Sequence, residues 1–176
     1  MRIISGKYKG RRLAEPKTMD IRPTTDRAKE GLFSTINFYI EGSDFLDLFS
    51  GAGGIAFEAA SRYANRVVAV DNSKESARVF KLNEDKMNTG IEFYNTDVLN
   101  FLDRDTHTYD YIFMDPPYDL DVKIVEEILE KCVSKLNEDG ELILEFSSYA
   151  KLNFENLEIK KQKKYGKSTF FFLREK

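Results

Sequence analysis

One cysteine and one histidine stand in the 176 residues of this chain. A single thiol excludes a disulfide framework and a multi-cysteine zinc site. Cys132 falls at helical spacing with Val125, Ile128, Leu129 and Val133, which marks it as core. His107 lies between Thr106 and Thr108 in a polar stretch, a poor setting for a histidine general base or an imidazole-rich metal site, so no metal is expected. No run is long and apolar enough to cross a bilayer, and Met1 to Gly6 shows neither a signal core nor a cleavage pattern. The expected setting is therefore a reducing cytoplasm, with no membrane partner. There is no internal repeat, linker or low-complexity tract, and the length suits one domain with a sizeable core.

Net charge is small, −3, but its distribution is uneven. Residues 1–29 carry nine Lys/Arg against three Asp/Glu, and residues 160–176 carry seven against one. Each end is thus +6, and the middle is −15. Basic patches on an acidic body point to a local contact with a polyanion. For the C-terminal run, plain solvation of lysines accounts for the pattern equally well.

Arg2 to Leu13 reads as a small hairpin, with Ile3, Ile4 and Tyr8 as strand residues around Ser5-Gly6-Lys7. Lys7, Lys9, Arg11 and Arg12 are too crowded for a core, and with Tyr8 among them they suit phosphate contacts and stacking on a base. After Pro16 a loop leads to Arg22-Pro23-Thr24-Thr25-Asp26-Arg27. Thr24 or Thr25 can cap a helix there, Asp26 complements its positive end, and Ala28, Leu32, Phe33, Ile36 and Tyr39 follow at helical spacing. Arg22 and Arg27 oppose the helix dipole, which favours a ligand-facing role for the loop.

From residue 44 the text alternates between apolar strands and amphipathic helices. Strands are predicted at 45–49, 67–70, 91–94, 109–114, 141–146, 157–163 and 168–173. Helices are predicted through Ile55, Ala59 and Ala60; through Ala77, Val79, Phe80 and Leu82; through Val98, Phe101 and Leu102; and over 120–133. Asn72 is placed as the cap of the second of these, with Glu75 three residues on. The pattern predicts an α/β fold with a mostly parallel seven-stranded sheet, helices on both faces and the small N-terminal β-hairpin as an extension. The domain division is 1–23 for the basic hairpin and loop and 24–176 for the sheet domain.

Gly51-x-Gly53-x-x-Ala56 follows a strand and opens a helix, with Asp71 at about the 20-residue interval where a ribose-binding acid falls. Two adenosine-containing ligands compete. NAD needs a substrate domain with a proton-transfer group, for which the chain has no room. S-adenosylmethionine needs a ribose carboxylate, an adenine site and an anchor for its amino-acid end. Asp71, Asp97 and Asp47 can serve these needs, and three carboxylates suit a cationic sulfonium. The strand 109–114 ends in Asp115-Pro116-Pro117-Tyr118. Two prolines stiffen that loop, leaving a carboxylate, a carbonyl and a flat ring to meet a planar base that bears an NH2 group.

Asp47-Leu48-Phe49-Ser50-Gly51-Ala52-Gly53-Gly54, Asp71, Asp97 and Asp115-Pro116-Pro117-Tyr118 together resemble a Rossmann-like class I methyltransferase dependent on S-adenosylmethionine. With Arg2 to Leu13, Arg22 to Arg27 and Tyr165-Gly166, the chain resembles from end to end the bacterial RsmD family, which methylates N2 of guanine 966 in 16S ribosomal RNA. Ser50, Gly54, Ala56 and Tyr118 are mild departures from the usual family residues. The resemblance implies catalysis by Asp115, Pro116, Pro117 and Tyr118. It places the cofactor against Asp47, Phe49, Ser50, Gly51, Gly53, Asp71, Asn72, Asp97, Val98 and Thr25. RNA would meet Arg2, Lys7, Lys9, Arg11, Arg12, Arg22 and Arg27, and the partner would be 16S rRNA in the small ribosomal subunit or an assembly intermediate, bound by a monomer. Asp-Pro-Pro-Tyr is shared with enzymes that methylate adenine or cytosine amines, so an amino-methyltransferase for another nucleic acid is the alternative. A nucleic-acid-binding module without catalysis is a further one.

Overall fold

Strands β1 (Asp44–Leu48), β2 (Arg66–Val70) and β4 (Tyr109–Met114) are buried along nearly their whole length, as strands covered on both faces must be. The structure is a computed structural model and describes residues 1–17, 24–146 and 151–176. Arg22 and Pro23 lie outside the described residues. With β3 (Glu92–Tyr94), β5 (Leu136–Glu145), β6 (Leu157–Tyr165) and β7 (Ser168–Glu175), the sheet order is β3-β2-β1-β4-β5-β7-β6. The first five strands in that order run parallel, and β7 runs antiparallel to both β5 and β6. The mostly parallel, seven-stranded Rossmann-like sheet read from the sequence is the one observed.

Helices α1 (Asp26–Ile40), α2 (Gly54–Ser61), α3 (Lys74–Met87), α4 (Val98–Arg104) and α5 (Val122–Val133) cover the sheet. Side-chain alternation divides the core in two. Phe45, Phe113, Ile143 and Phe172 join Leu32, Phe57 and Phe80 on one face. Leu46, Val68, Ile112 and Leu144 join Phe101, Val125 and Cys132 on the other.

Several local expectations need correction. Tyr39 and Leu82 are exposed, and Ile40, Asn83 and Met87 take the buried positions instead. Ser73, not Asn72, caps α3, accepting from the Ser76 amide at 3.2 Å. Asp121 caps α5, so that helix begins two residues after Leu120. β5 begins at Leu136, five residues before the predicted start. Leu136 pairs with Tyr109 and the register then jumps to Tyr111–Glu141, so the polar run Asn137-Glu138-Asp139 bulges out of the ladder.

The N-terminal segment is less of a separate ribbon than the hairpin reading implied. Arg2 and Arg12 form an isolated antiparallel pair, and Ile3, Tyr8 and Leu13 are buried in the same core as α1 and α2. Tyr8 is flanked by the Lys7 ammonium and the Arg11 guanidinium, each 5.2 Å from its ring centre. It is therefore not available to stack on a base, contrary to the sequence reading. Gly6 has φ 87°, and a Cβ there would overlap the Ser61 carbonyl, so the segment can be clasped against α2 only with glycine at this point.

Under that clasp sits a buried charge cluster. Glu58 of α2 is fully buried and accepts from the Ile4 and Ser5 amides at 2.9 and 3.1 Å and from Arg62 Nε at 2.9 Å. The equally buried Lys29 of α1 lies 3.5 Å from Glu58 Oε2 and donates to the Arg2 carbonyl. One carboxylate thereby ties the N-terminal segment to two helices.

Candidate active site

In the sheet order the chain runs outward from β1 through β2 to β3, then returns to place β4 on β1's other side. A crevice opens at such a reversal, beyond the carboxyl ends of the strands. The loop from Phe49 to Gly53 fills its floor. Ser50 donates its amide to Val70 O at 3.0 Å, and Gly53 donates to Ser50 O at 3.0 Å. Phe49 and Gly51 both have φ 58° and Gly53 has φ 90°. A Cβ on Gly53 would lie 2.6 Å from the Phe80 ring, so only glycine lets the loop press this closely on α3 while turning into α2.

Two acids hold this loop. Asp71, just past β2, accepts from the Gly51 amide and the Ser73 amide, both at 2.8 Å. Asp47, 1% exposed in β1, accepts from the Ser50 hydroxyl at 2.7 Å and the Ala56 amide at 3.1 Å through one oxygen. Burial pushes its carboxyl up to about 7, with the Ser50 and Ala56 hydrogen bonds opposing the rise and Asp71 adding to it. Asp47 thus lies beneath the loop and shapes it. Asp97 is exposed and caps α4, accepting from the Leu99 and Asn100 amides at 2.9 and 3.2 Å, with Val98 buried behind it. Asn72 is exposed on the rim. Buried Asn83, which the sequence reading did not single out, donates to Ala52 O at 3.3 Å and bonds both backbone groups of Ala14.

Across the crevice from this loop is Asp115. Along β4, Tyr111 and Phe113 face the α1 side of the sheet, and alternation turns Asp115 the same way. Along β1, Phe45 faces that side, and so does Asp47. Among the described residues no hydrogen bond or ion pair engages the Asp115 carboxylate. Burial, with the negative charges of Glu145 and Asp47, holds its carboxyl well above the ordinary range. Pro116 is buried, Pro117 is exposed and its carbonyl accepts from the Leu120 amide at 3.0 Å, and the Tyr118 ring stands 98% exposed.

Glu145, at the end of β5, borders Asp115 and was not singled out from the sequence. Met114 pairs with Leu144, so Asp115 and Glu145 are the next residues of two adjacent parallel strands. Thr24 donates its hydroxyl to Glu145 Oε2 at 3.3 Å, and the Ser168 side chain also donates to it. Its signal was an acid closing an apolar strand, the pattern already seen at Asp71 and Asp115.

Thr25 caps α1, accepting from the Ala28 amide at 3.2 Å, and Arg27 is exposed in its first turn. Arg2, Lys7, Lys9, Arg11 and Arg12 are all exposed, with Arg2 Nε 3.0 Å from Asp26. The C-terminal lysines stud β6, the edge of the sheet, where charge also blocks edge-to-edge pairing. Two apolar cavities lie elsewhere, one over β5, β6 and β7 and one beside α3, and neither is lined by Asp47, Asp71 or Asp115.

The model of the family described as conserved hypothetical protein 95 matches residues 1–174. The ribosomal RNA small subunit methyltransferase D of Escherichia coli is 30% identical over 157 residues, covering 89% of this chain and 76% of that protein. The protein of the same name from Buchnera aphidicola is 37% identical over 118 residues, covering 66% of this chain and 62% of its own length, just under two thirds. Among solved structures, a putative methyltransferase from E. coli superposes with a TM-score of 0.85 at 25% identity, covering 100% of this chain and 98% of that one. No helix among the described residues is long and apolar enough to cross a membrane. With a family match over nearly the whole chain, a methyltransferase fold and a glycine loop facing an Asp-Pro-Pro-Tyr strand end, the chain belongs to the RsmD family of ribosomal RNA methyltransferases.

Proposed function

We propose that this chain transfers a methyl group from S-adenosylmethionine to the exocyclic N2 amine of a guanine in 16S rRNA, the guanine 966 type, in the small ribosomal subunit or an assembly intermediate. The observation that carries the reading is Asp115: a carboxylate with no partner among the described residues, on the same sheet face as the acid under the glycine loop.

The crevice fits the cofactor. The turn at Gly53 admits no Cβ, Asp71 follows β2, and Asp97 caps the helix that follows the adjacent β3. When bound there, S-adenosylmethionine supplies an electrophilic methyl group. Asp71 takes the ribose hydroxyls on its remaining lone pairs, Asp97 meets the adenine edge, and Asp47 acts through the loop it shapes, with Phe49, Ser50 and Gly51 walling the site.

Guanine N2 is a weak nucleophile because its lone pair is delocalised into the ring. Asp115 and the Pro116 carbonyl each accept one N–H, which pyramidalises the nitrogen and localises the pair for in-line attack. Pro116 and Pro117 keep the acceptors rigid, and the exposed Tyr118 ring stacks on the base. Positioning and electrostatics carry the catalysis, with no covalent enzyme intermediate. The base must be unpaired or flipped out to reach the site. Arg2, Lys7, Lys9, Arg11 and Arg12 grip the RNA backbone, and Arg22 and Arg27 line its path to the crevice.

The test is transfer of tritiated methyl groups to small subunits from a strain lacking the gene, with the modified nucleotide mapped by primer extension. A single N2-methylated guanine is expected. Label on an adenine or cytosine amine, or no transfer at all, contradicts the reading.

A further inference from the structure

Resting on the guanine reading above, we propose that Glu145 is the residue that selects the base, by accepting the N1–H of guanine while Asp115 accepts from the neighbouring amine. An Asp-Pro-Pro-Tyr strand end explains how an exocyclic amine is held, but not which base brings it. The ring atom next to the amine differs among the three candidates. In guanine it is N1, which carries a hydrogen. In adenine and cytosine the corresponding ring nitrogens carry only a lone pair. A second acceptor beside the amine acceptor therefore admits guanine and rejects the other two, whose lone pair would face a carboxylate.

The structure supplies that second acceptor. Glu145 follows Leu144 as Asp115 follows Met114, on adjacent parallel strands in register. Ile143 and Phe113, two residues earlier, both face the α1 side of the sheet, so both carboxylates project from that face. Adjacent strands lie about 4.8 Å apart, a separation that two donors on one base edge can bridge with flexible side chains. Thr24 donates to one Glu145 oxygen at 3.3 Å, which leaves lone pairs of the carboxylate for the base.

Burial raises both carboxyls, and the Glu145 charge raises Asp115 further.

The experiment uses the full chain and small-subunit rRNA carrying either guanine or 2,6-diaminopurine at the target position. Both bases have a 2-amino group, but diaminopurine has a bare N1. The wild type is expected to prefer guanine in kcat/KM by about tenfold to a hundredfold, the usual discrimination of a paired base contact. Glu145→Gln, whose amide can donate to the bare N1, is expected to bring that ratio to one or invert it. Thr24→Val, which removes only the support behind Glu145, is expected to keep the preference for guanine. A wild-type ratio near one overturns the proposal without any variant. So does a Glu145→Gln enzyme that loses activity equally on both bases, since that is the signature of a residue that only anchors the Thr24 loop. Absence of transfer to guanine by the wild type is a different result and removes the guanine reading together with this one.

Discussion

Asp115 and Glu145 stand side by side, each one residue beyond the paired Met114 and Leu144. Burial, then Glu145, then Asp47 raise the Asp115 carboxyl. An acceptor of N–H groups works best ionised, so methyl transfer should climb with pH through that raised range and level off above it. Glu145→Gln removes one negative neighbour and should move the rising limb to lower pH. Single-turnover rates between about pH 5 and pH 9 check this, and a limb that stays in place speaks against electrostatic coupling of the pair.

Asp47 makes a prediction about stability. Its folded value of about 7 lies above the ordinary 3.8. The folded chain therefore holds this proton more tightly than the unfolded chain. The stability it contributes is complete below the unfolded value and is lost as pH rises through about 7. Asp47→Asn should flatten this slope, leaving stability less dependent on pH across the window. Urea midpoints measured at several pH values test it, and an unchanged slope would assign the wild-type trend to other groups.

The buried Glu58 is shared by Lys29, Arg62 and the amides of Ile4 and Ser5. Removing one member of such a cluster typically costs about 3–5 kcal/mol, because a buried charge is left behind. Glu58→Ala should lose stability on that scale in chemical denaturation. A loss under about 1 kcal/mol would mean that the cluster behaves like a surface pair.

The sheet was legible because buried parallel strands are written as unbroken apolar runs, and Val67-Val68-Ala69-Val70 and Tyr109 to Met114 allow few other readings. The acids Asp71 and Asp115 stood out for the same reason, as polar stops on apolar text. Glu145 carries that signature too, but Phe146 after it made the strand seem to continue. Glu58 was hidden differently. It is the lone acid in Gly54-Ile55-Ala56-Phe57-Glu58-Ala59-Ala60, a helix buried nearly all round, and its partners from residues 4, 5 and 29, with Arg62, explain it. Tyr8 misled because a tyrosine among lysines and arginines suggests an exposed stacking platform. The tertiary contact with Ser61, whose Oγ accepts from the Tyr8 amide at 3.0 Å, draws it inward. No local pattern encodes that contact.

Exposed Lys7, Lys9, Arg11, Arg12 and Arg27 lead to a contrast in salt dependence. If they neutralise phosphates, RNA affinity should fall steeply between about 50 and 200 mM salt, since each released counterion adds to the slope. Cofactor affinity, set in the crevice by acids and glycines, should hardly change. Titrations of both ligands across that range check it, and an RNA affinity indifferent to salt would remove the N-terminal basic surface from the account.

The most direct measurement compares Asp115→Ala with the wild type in two assays on the same protein: methyl transfer to small subunits, and S-adenosylmethionine binding by calorimetry. The account predicts that transfer falls by about a hundredfold or more while cofactor affinity stays near the wild-type value. Parallel loss of both, or near-normal transfer without the carboxylate, would contradict it.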